Sequence, residues 1–280
     1  MEINKVGVVG GGQMGGGIAQ AVATAGLEVC LVEVKDELIK KAMEGISWGL
    51  DKFIKKGKLL PEQKEEIVKR IRCTLRLEDL KDMDLVIEAV PEKEALKLEI
   101  FRRLEALCPP RVIFATNTSS IPITKLASAT MRPERFIGIH FMNPAPVMEL
   151  VELIMGMNTS EETLEVARNF CRCLGKTPIE VKDSPGFVVN RIMAPMINEA
   201  VYLLMEEVAS LEDIDKAMTL GARHPMGPLA LADFVGLDTC LAIMETLHKE
   251  LGDPKYKPCP LLRRYVKEGK LGKKSGEGFY

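Results

Sequence analysis

Of the eight residues from 10 to 17, six are glycine. So many glycines cost conformational entropy and need a reason beyond a simple turn. The flanks supply one. Residues 5–9, KVGVV, form a short Val-rich apolar run with the pattern of a buried parallel strand. Gly10, Gly12 and Gly15 follow as G-x-G-x-x-G. Met14, Ile18, Ala21, Val22 and Ala25 then recur at helical spacing, and Gly26 closes the helix. A second β-rich run over residues 28–32 ends in Glu33. Gly10 permits the tight turn out of the strand, Gly12 lets backbone approach a pyrophosphate, and Gly15 allows close helix–strand packing. The helix N-terminus offers free N–H groups and the positive end of its dipole to phosphates. Glu33 stands roughly 20 residues on, where an acid can accept bonds from ribose hydroxyls. The stretch therefore predicts a dinucleotide site, with Gln13 and Met14 between its second and third glycines.

The chain of 280 residues is long enough for one large domain or two modest ones with proper cores. With a net charge of −2 nothing suggests a nucleic-acid surface, and no nucleic-acid partner is expected. No apolar run approaches the roughly 18 residues of a membrane span. The first strand starts within a few residues of Met1, which leaves no room for a signal peptide, so a cytoplasmic location is expected. The seven cysteines are irregularly spaced, and Cys171 and Cys173 have no second pair to complete a zinc site. Buried free thiols and no metal are expected.

Further along, residues 36–58 read as a charged amphipathic helix with Lys52, Lys55, Lys56 and Lys58 crowding its end. Lysines are favourable at a helix C-terminus in any case, and the residues alone favour a solvated cluster over an anion contact. A helix over 61–72, strands over 84–89 and 112–116 and a helix over 92–107 follow. Residues 135–141 and 149–154 read as strands, 159–174 as a helix and 177–181 as a strand. Strands alternating with helices imply a doubly wound, mostly parallel α/β sheet of Rossmann type. After Asp183-Ser184-Pro185-Gly186 only helices are expected, over 187–207, 211–220, 228–251 and 260–267. This predicts a dinucleotide-binding domain over 1–183 and an all-helical domain over 184–280. The helix at 187–207 is apolar nearly all round, so part of its cover is expected from a second subunit, making a homodimer or higher homo-oligomer.

A few residues look out of place for pure structure. His140 sits near the end of an apolar strand, and ligands of open α/β sheets bind at the carboxyl ends of strands. Spacing alone leaves it equally a satisfied core histidine. His224 and His248 read as structural and solvated. Glu152 shares a strand face with Leu150 and Ile154, which is costly without a partner. A pair with His140 is suggested, but Glu149 competes and spacing does not choose. Asn190 lies in the very apolar helix, either tying helices together or facing a ligand.

Together GGGQMGGGIAQ (10–20), EAVPEKEALK (88–97), ATNTSS (115–120), IGIHFMNPAPVMELVE (137–152), DSPGFVVNR (183–191), HPMGPLALADFVGLD (224–238) and GKKSGEGFY (272–280) cover essentially the whole chain. They resemble the L-3-hydroxyacyl-CoA dehydrogenase family, and within it the short bacterial 3-hydroxybutyryl-CoA dehydrogenases. The resemblance implies NAD as cofactor and an acyl-CoA substrate, (S)-3-hydroxyacyl-CoA interconverting with 3-oxoacyl-CoA. It implies His140 as catalytic base with Glu152, not Glu149, as its partner, and Ser119 and Asn190 bonding the substrate near the reacting carbon. Asn143 would lie by the nicotinamide. Glu92, Lys97, Ser119 and Lys274 match cofactor-contacting positions, Lys97 also near CoA. Lys56 matches a CoA-contacting lysine, which reverses the solvated reading. Gly49 departs from relatives that carry a CoA-contacting serine there. The helical domain would bind substrate and dimerise. The alternatives are a dehydrogenase of a free hydroxy acid on the same fold, or a non-catalytic NAD-binding relative.

Overall fold

The computed structural model describes residues 1–280, which divide into two compact units, Met1–Ser184 and Pro185–Tyr280. In the first, eight strands form one sheet: β1 (Lys5–Val9), β2 (Glu28–Val32), β3 (Ile71–Thr74), β4 (Leu85–Glu88), β5 (Ile113–Thr116), β6 (Phe136–Phe141), β7 (Leu150–Met155) and β8 (Thr177–Lys182). Their order is β3-β2-β1-β4-β5-β6-β7-β8. All neighbours are parallel except β6 and β7. Only residues 142–149 join β6 to β7, too few for the helical crossover that a parallel pair requires. The sheet packs with α1 (Gln13–Thr24), α2 (Asp36–Lys55), α3 (Pro61–Lys69), α4 (Glu94–Leu107), α5 (Ile123–Ala127) and α6 (Glu161–Cys173). Strand order reverses between β1 and β4, which opens a crevice at their carboxyl ends, where such sheets bind ligands.

The helix expected over 61–72 stops at Lys69, and β3 follows without having been anticipated. Its four residues, IRCT, are too short and too polar to show a periodicity. The short α5 was also not expected. Its first N–H groups, at Ile123 and Thr124, are satisfied 3.0 and 2.8 Å away by the carboxylate of Asp183, a partner far off in sequence.

The second unit contains α7 (Val189–Met205), α8 (Leu211–Lys216), α9 (Pro228–Val235), α10 (Leu237–Leu251) and α11 (Pro260–Lys267), with a π-turn at Ala217–Gly221. α7 starts two residues later than the periodicity predicts because Gly186 and Phe187 take φ of 72° and 50°. The helix expected over 228–251 is two helices, broken at Gly236 with φ 102°. Asp233 receives the backbone N–H groups of Phe279 and Tyr280, each at 2.9 Å, and so fixes the C-terminal segment. Ile197, Val201, Leu229, Leu237 and Leu262 form the centre of this unit's core. No helix is long and apolar enough to cross a membrane. All seven cysteines are free, and five are buried; Cys173 is exposed and Cys73 half-buried, contrary to the expectation of burial throughout.

Candidate active site

The glycine turn joins β1 to α1 at the crevice. Gly10 has φ 95°, and a Cβ there would lie 2.9 Å from the Ala89 carbonyl oxygen. A Cβ on Gly15 would fall 1.8 Å from the Gly10 oxygen, so helix and strand approach as closely as a glycine allows. Over Gly12 a Cβ would meet nothing within 4 Å, and no side chain caps α1 there. Open space over an uncapped helix N-terminus fits a pyrophosphate. Glu33, beyond β2, accepts the Gly11 N–H at 2.6 Å and the Val34 N–H at 3.0 Å. These bonds hold the carboxylate beside the glycine turn, and each oxygen keeps a second lone pair for a ribose hydroxyl.

At the far side of the sheet β6 is buried along its whole length. His140 pairs in register with Glu152 of antiparallel β7. The side chains meet, Nδ1 standing 2.8 Å from Glu152 Oε2. Glu152 is fully buried and His140 is 7% exposed. A carboxylate on Nδ1 favours the tautomer with the proton there, which leaves Nε2 as the basic nitrogen. Glu149, the competing acid, is exposed and lies outside β7.

The loop after β5 carries Ser119. Asn117 at its start accepts the Phe141 N–H at 2.9 Å, tying the loop to the end of β6. Glu92 holds the rest, accepting from Thr118 Oγ1 at 2.5 Å, Ser119 N at 2.9 Å and Ser120 Oγ at 2.9 Å. Burial opposes ionisation of Glu92. The Lys97 ammonium and the hydrogen bonds from Thr118, Ser120 and Ser119 outweigh it, and the carboxyl is held below the ordinary glutamate value. Lys97 was expected to touch cofactor and CoA. Its side chain is instead 1% exposed, with Nζ 2.7 Å from Glu88 and 3.2 Å from Glu92. Of its two carboxylate partners only Glu92 is partly exposed. Glu88 was not singled out from the sequence, although an acid closing an apolar strand is the same signal that marked Glu33. It is fully buried and also accepts from Thr116 Oγ1 at 2.7 Å.

Asn143 is exposed in the loop between β6 and β7 and accepts from Gln13 Nε2 at 3.1 Å, so two residues read as cofactor contacts meet. The buried Lys176 pins that loop, donating to the Ala145 and Met148 carbonyls at 2.7 Å each. Lys56 is exposed at the C-cap of α2. Gly49 has a local reason, since a Cβ there would come within 2.4 Å of Gln20 Oε1. In the helical unit Asn190 is buried near the start of α7. Lys274 bonds Asp238 at 2.8 Å and Thr239 at 2.7 Å. His248 Nδ1 lies 3.3 Å from the Asp253 carbonyl within the same unit, and His224 is half-buried.

A doubly wound sheet with this glycine turn at its crevice, an acid at the end of β2 and a buried His–Glu pair at a strand end define a dinucleotide-dependent oxidoreductase. The chain belongs to the 3-hydroxyacyl-CoA dehydrogenase family: the family's NAD-binding domain matches residues 5–184 and its C-terminal domain residues 186–280. NAD is its cofactor. The chain is 53% identical to the probable 3-hydroxybutyryl-CoA dehydrogenase of Bacillus subtilis, over 100% of this chain and 98% of that one. It is 54% identical to the 3-hydroxybutyryl-CoA dehydrogenase of Bradyrhizobium diazoefficiens, over 99% and 95%. The crystal structure of (S)-3-hydroxybutyryl-CoA dehydrogenase from Ralstonia eutropha superposes with a TM-score of 0.96 at 51% identity, covering 100% of this chain and 99% of that one.

Proposed function

We propose that this protein interconverts (S)-3-hydroxyacyl-CoA, in particular 3-hydroxybutyryl-CoA, with the 3-oxoacyl-CoA, using NAD(H). The observation that carries the reading is the 2.8 Å contact of His140 Nδ1 with a fully buried Glu152 at the carboxyl end of β6. In oxidation His140 Nε2 takes the proton of the C3 hydroxyl. NAD, when bound, would supply the hydride acceptor for oxidation at C3 and, as NADH, the donor for reduction. The imidazolium then protonates the forming alkoxide. Glu152 fixes the ring's tautomer and stabilises its charged form, as the orienting acid does in a triad.

Ser119 and Asn190 hydrogen-bond the substrate near C3. Gly10, Gly12, Gln13, Met14 and Gly15 receive the pyrophosphate, Glu33 the adenosine ribose and Asn143 the nicotinamide. Glu92 contacts the cofactor with Lys97 behind it as a positioning residue, and Lys274 contributes from the helical unit. Lys56 binds CoA. The helical unit binds substrate and carries self-association.

NADH oxidation assayed with acetoacetyl-CoA beside free acetoacetate tests the reading. Turnover of the thioester with little or none of the free acid is expected. Preference for the free acid would overturn the CoA assignment, and no turnover of either would overturn the activity.

A further inference from the structure

The chain's single tryptophan is not in a core. Trp48 lies on the outer side of α2 with 62% of its surface exposed. Lys52, one turn on, holds its Nζ 3.3 Å from the ring centroid. Lys55, Lys56 and Lys58 continue at the same end of the helix. The nearby acid Asp51 is already taken by Lys64 at 2.6 Å. Lysines alone would be an ordinary helix C-terminus. A large exposed indole among them is not, because it leaves costly apolar surface in water.

An aromatic face beside a cluster of cations suits one ligand chemistry, a purine base carrying phosphates. Bases stack on aromatic side chains whatever their sequence, and lysines neutralise the phosphates. We propose that Trp48 is the stacking platform for the adenine of the substrate's CoA handle, with Lys52 meeting its phosphates. This rests on the CoA reading above. Lys52 covers part of the ring, and the exposed remainder is open to the base. The NAD adenosine is the wrong occupant. Its ribose belongs at Glu33, just before α2 begins at Asp36, and Trp48 stands 12 residues further along the helix, a rise of roughly 18 Å.

The single tryptophan makes the test direct. With the full chain saturated with NAD, titration with CoA should quench its emission, and titration with pantetheine should not. Stacking on this scale predicts that Trp48→Ala raises KM for acetoacetyl-CoA about tenfold with kcat unchanged. KM for acetoacetyl-pantetheine, which lacks the nucleotide, should not move, and Trp48→Phe should stay within about threefold of wild type. An equal effect on both substrates, no effect on either, unperturbed emission or a changed molecular mass in Trp48→Ala would overturn the proposal. Quenching by CoA without turnover of either substrate would uphold the nucleotide site and overturn the dehydrogenase reading instead.

Discussion

His140 and Glu152 stand directly opposite each other on β6 and β7, the single antiparallel pair in the sheet, with Nδ1 2.8 Å from Oε2. Cross-strand partners lie close enough for side chains to meet without long reach. On the proposed mechanism the buried carboxylate and the imidazole should act as one unit. His140→Ala should lose about 10²–10⁴ in kcat while still binding NAD. Glu152→Gln keeps the shape, removes the charge and should also lose kcat. Measured together, the double mutant should be little worse than His140→Ala alone. Losses that multiply, or a dead Glu149→Gln beside a normal Glu152→Gln, would mean the wrong residues are paired.

Glu33 should select NAD over NADP. Its carboxylate is anchored 2.6 Å from the Gly11 N–H, where a 2′-phosphate would meet a fixed negative charge. Lys35 is two residues away and softens the repulsion, so preference and not exclusion is expected. The ratio of kcat/KM for NADH and NADPH should favour NADH by at least about tenfold, equivalent to ~1.4 kcal/mol. Glu33→Ala should narrow it. Equal values in the wild type would remove the role from Glu33.

The Glu88–Lys97–Glu92 cluster should contribute to folding as well as to the site. Lys97→Met leaves two carboxylates without their cation, Glu88 in full burial, and a broken buried pair costs about 3–5 kcal/mol. A loss of Tm on the order of 10 °C follows for a unit of this size. The sign of the pH dependence comes from Glu92. Its folded-state value is depressed, so its contribution is present above the unfolded value of about 4.3 and is lost as pH falls through the lower folded one. Urea midpoints between pH 6 and pH 3 should fall less steeply for Glu92→Gln than for wild type. Parallel curves would show that Glu92 is not the group responsible.

Lys56 is exposed, at the end of α2. If it binds CoA and takes no part in the chemistry, Lys56→Ala should raise KM for acetoacetyl-CoA with little change in kcat, the mark of lost uniform binding. A large loss of kcat at unchanged KM would contradict that.

The helical unit leaves Ile192 of α7, Val208 and Leu220 exposed at 67%, 63% and 80%. Apolar surface of this kind is what a second subunit would cover. Light scattering at micromolar concentration should give at least the mass of a dimer, and Ile192→Glu should lower it. A stable wild-type monomer would end the idea.

The dinucleotide turn was legible because its physics is local. The strand, the turn and the helix N-terminus are contiguous, and no other residue type fits at Gly10 or Gly15, where a Cβ would strike backbone. The alternation of strands and helices was legible for the same reason, as was the change to helices after Gly186. Periodicity alone did not choose between Glu149 and Glu152. It also missed the break at Gly236, the strand β3 and the burial of Lys97. Each of these depends on what lies across the fold. Pairing is set by the register of β6 on β7, and Lys97 is buried because β4 ends in Glu88 where α4 passes. The sequence by itself determined where a nucleotide can be held. The tertiary structure decided which acid meets His140, because side chains 12 residues apart become neighbours only when two strands fix their register.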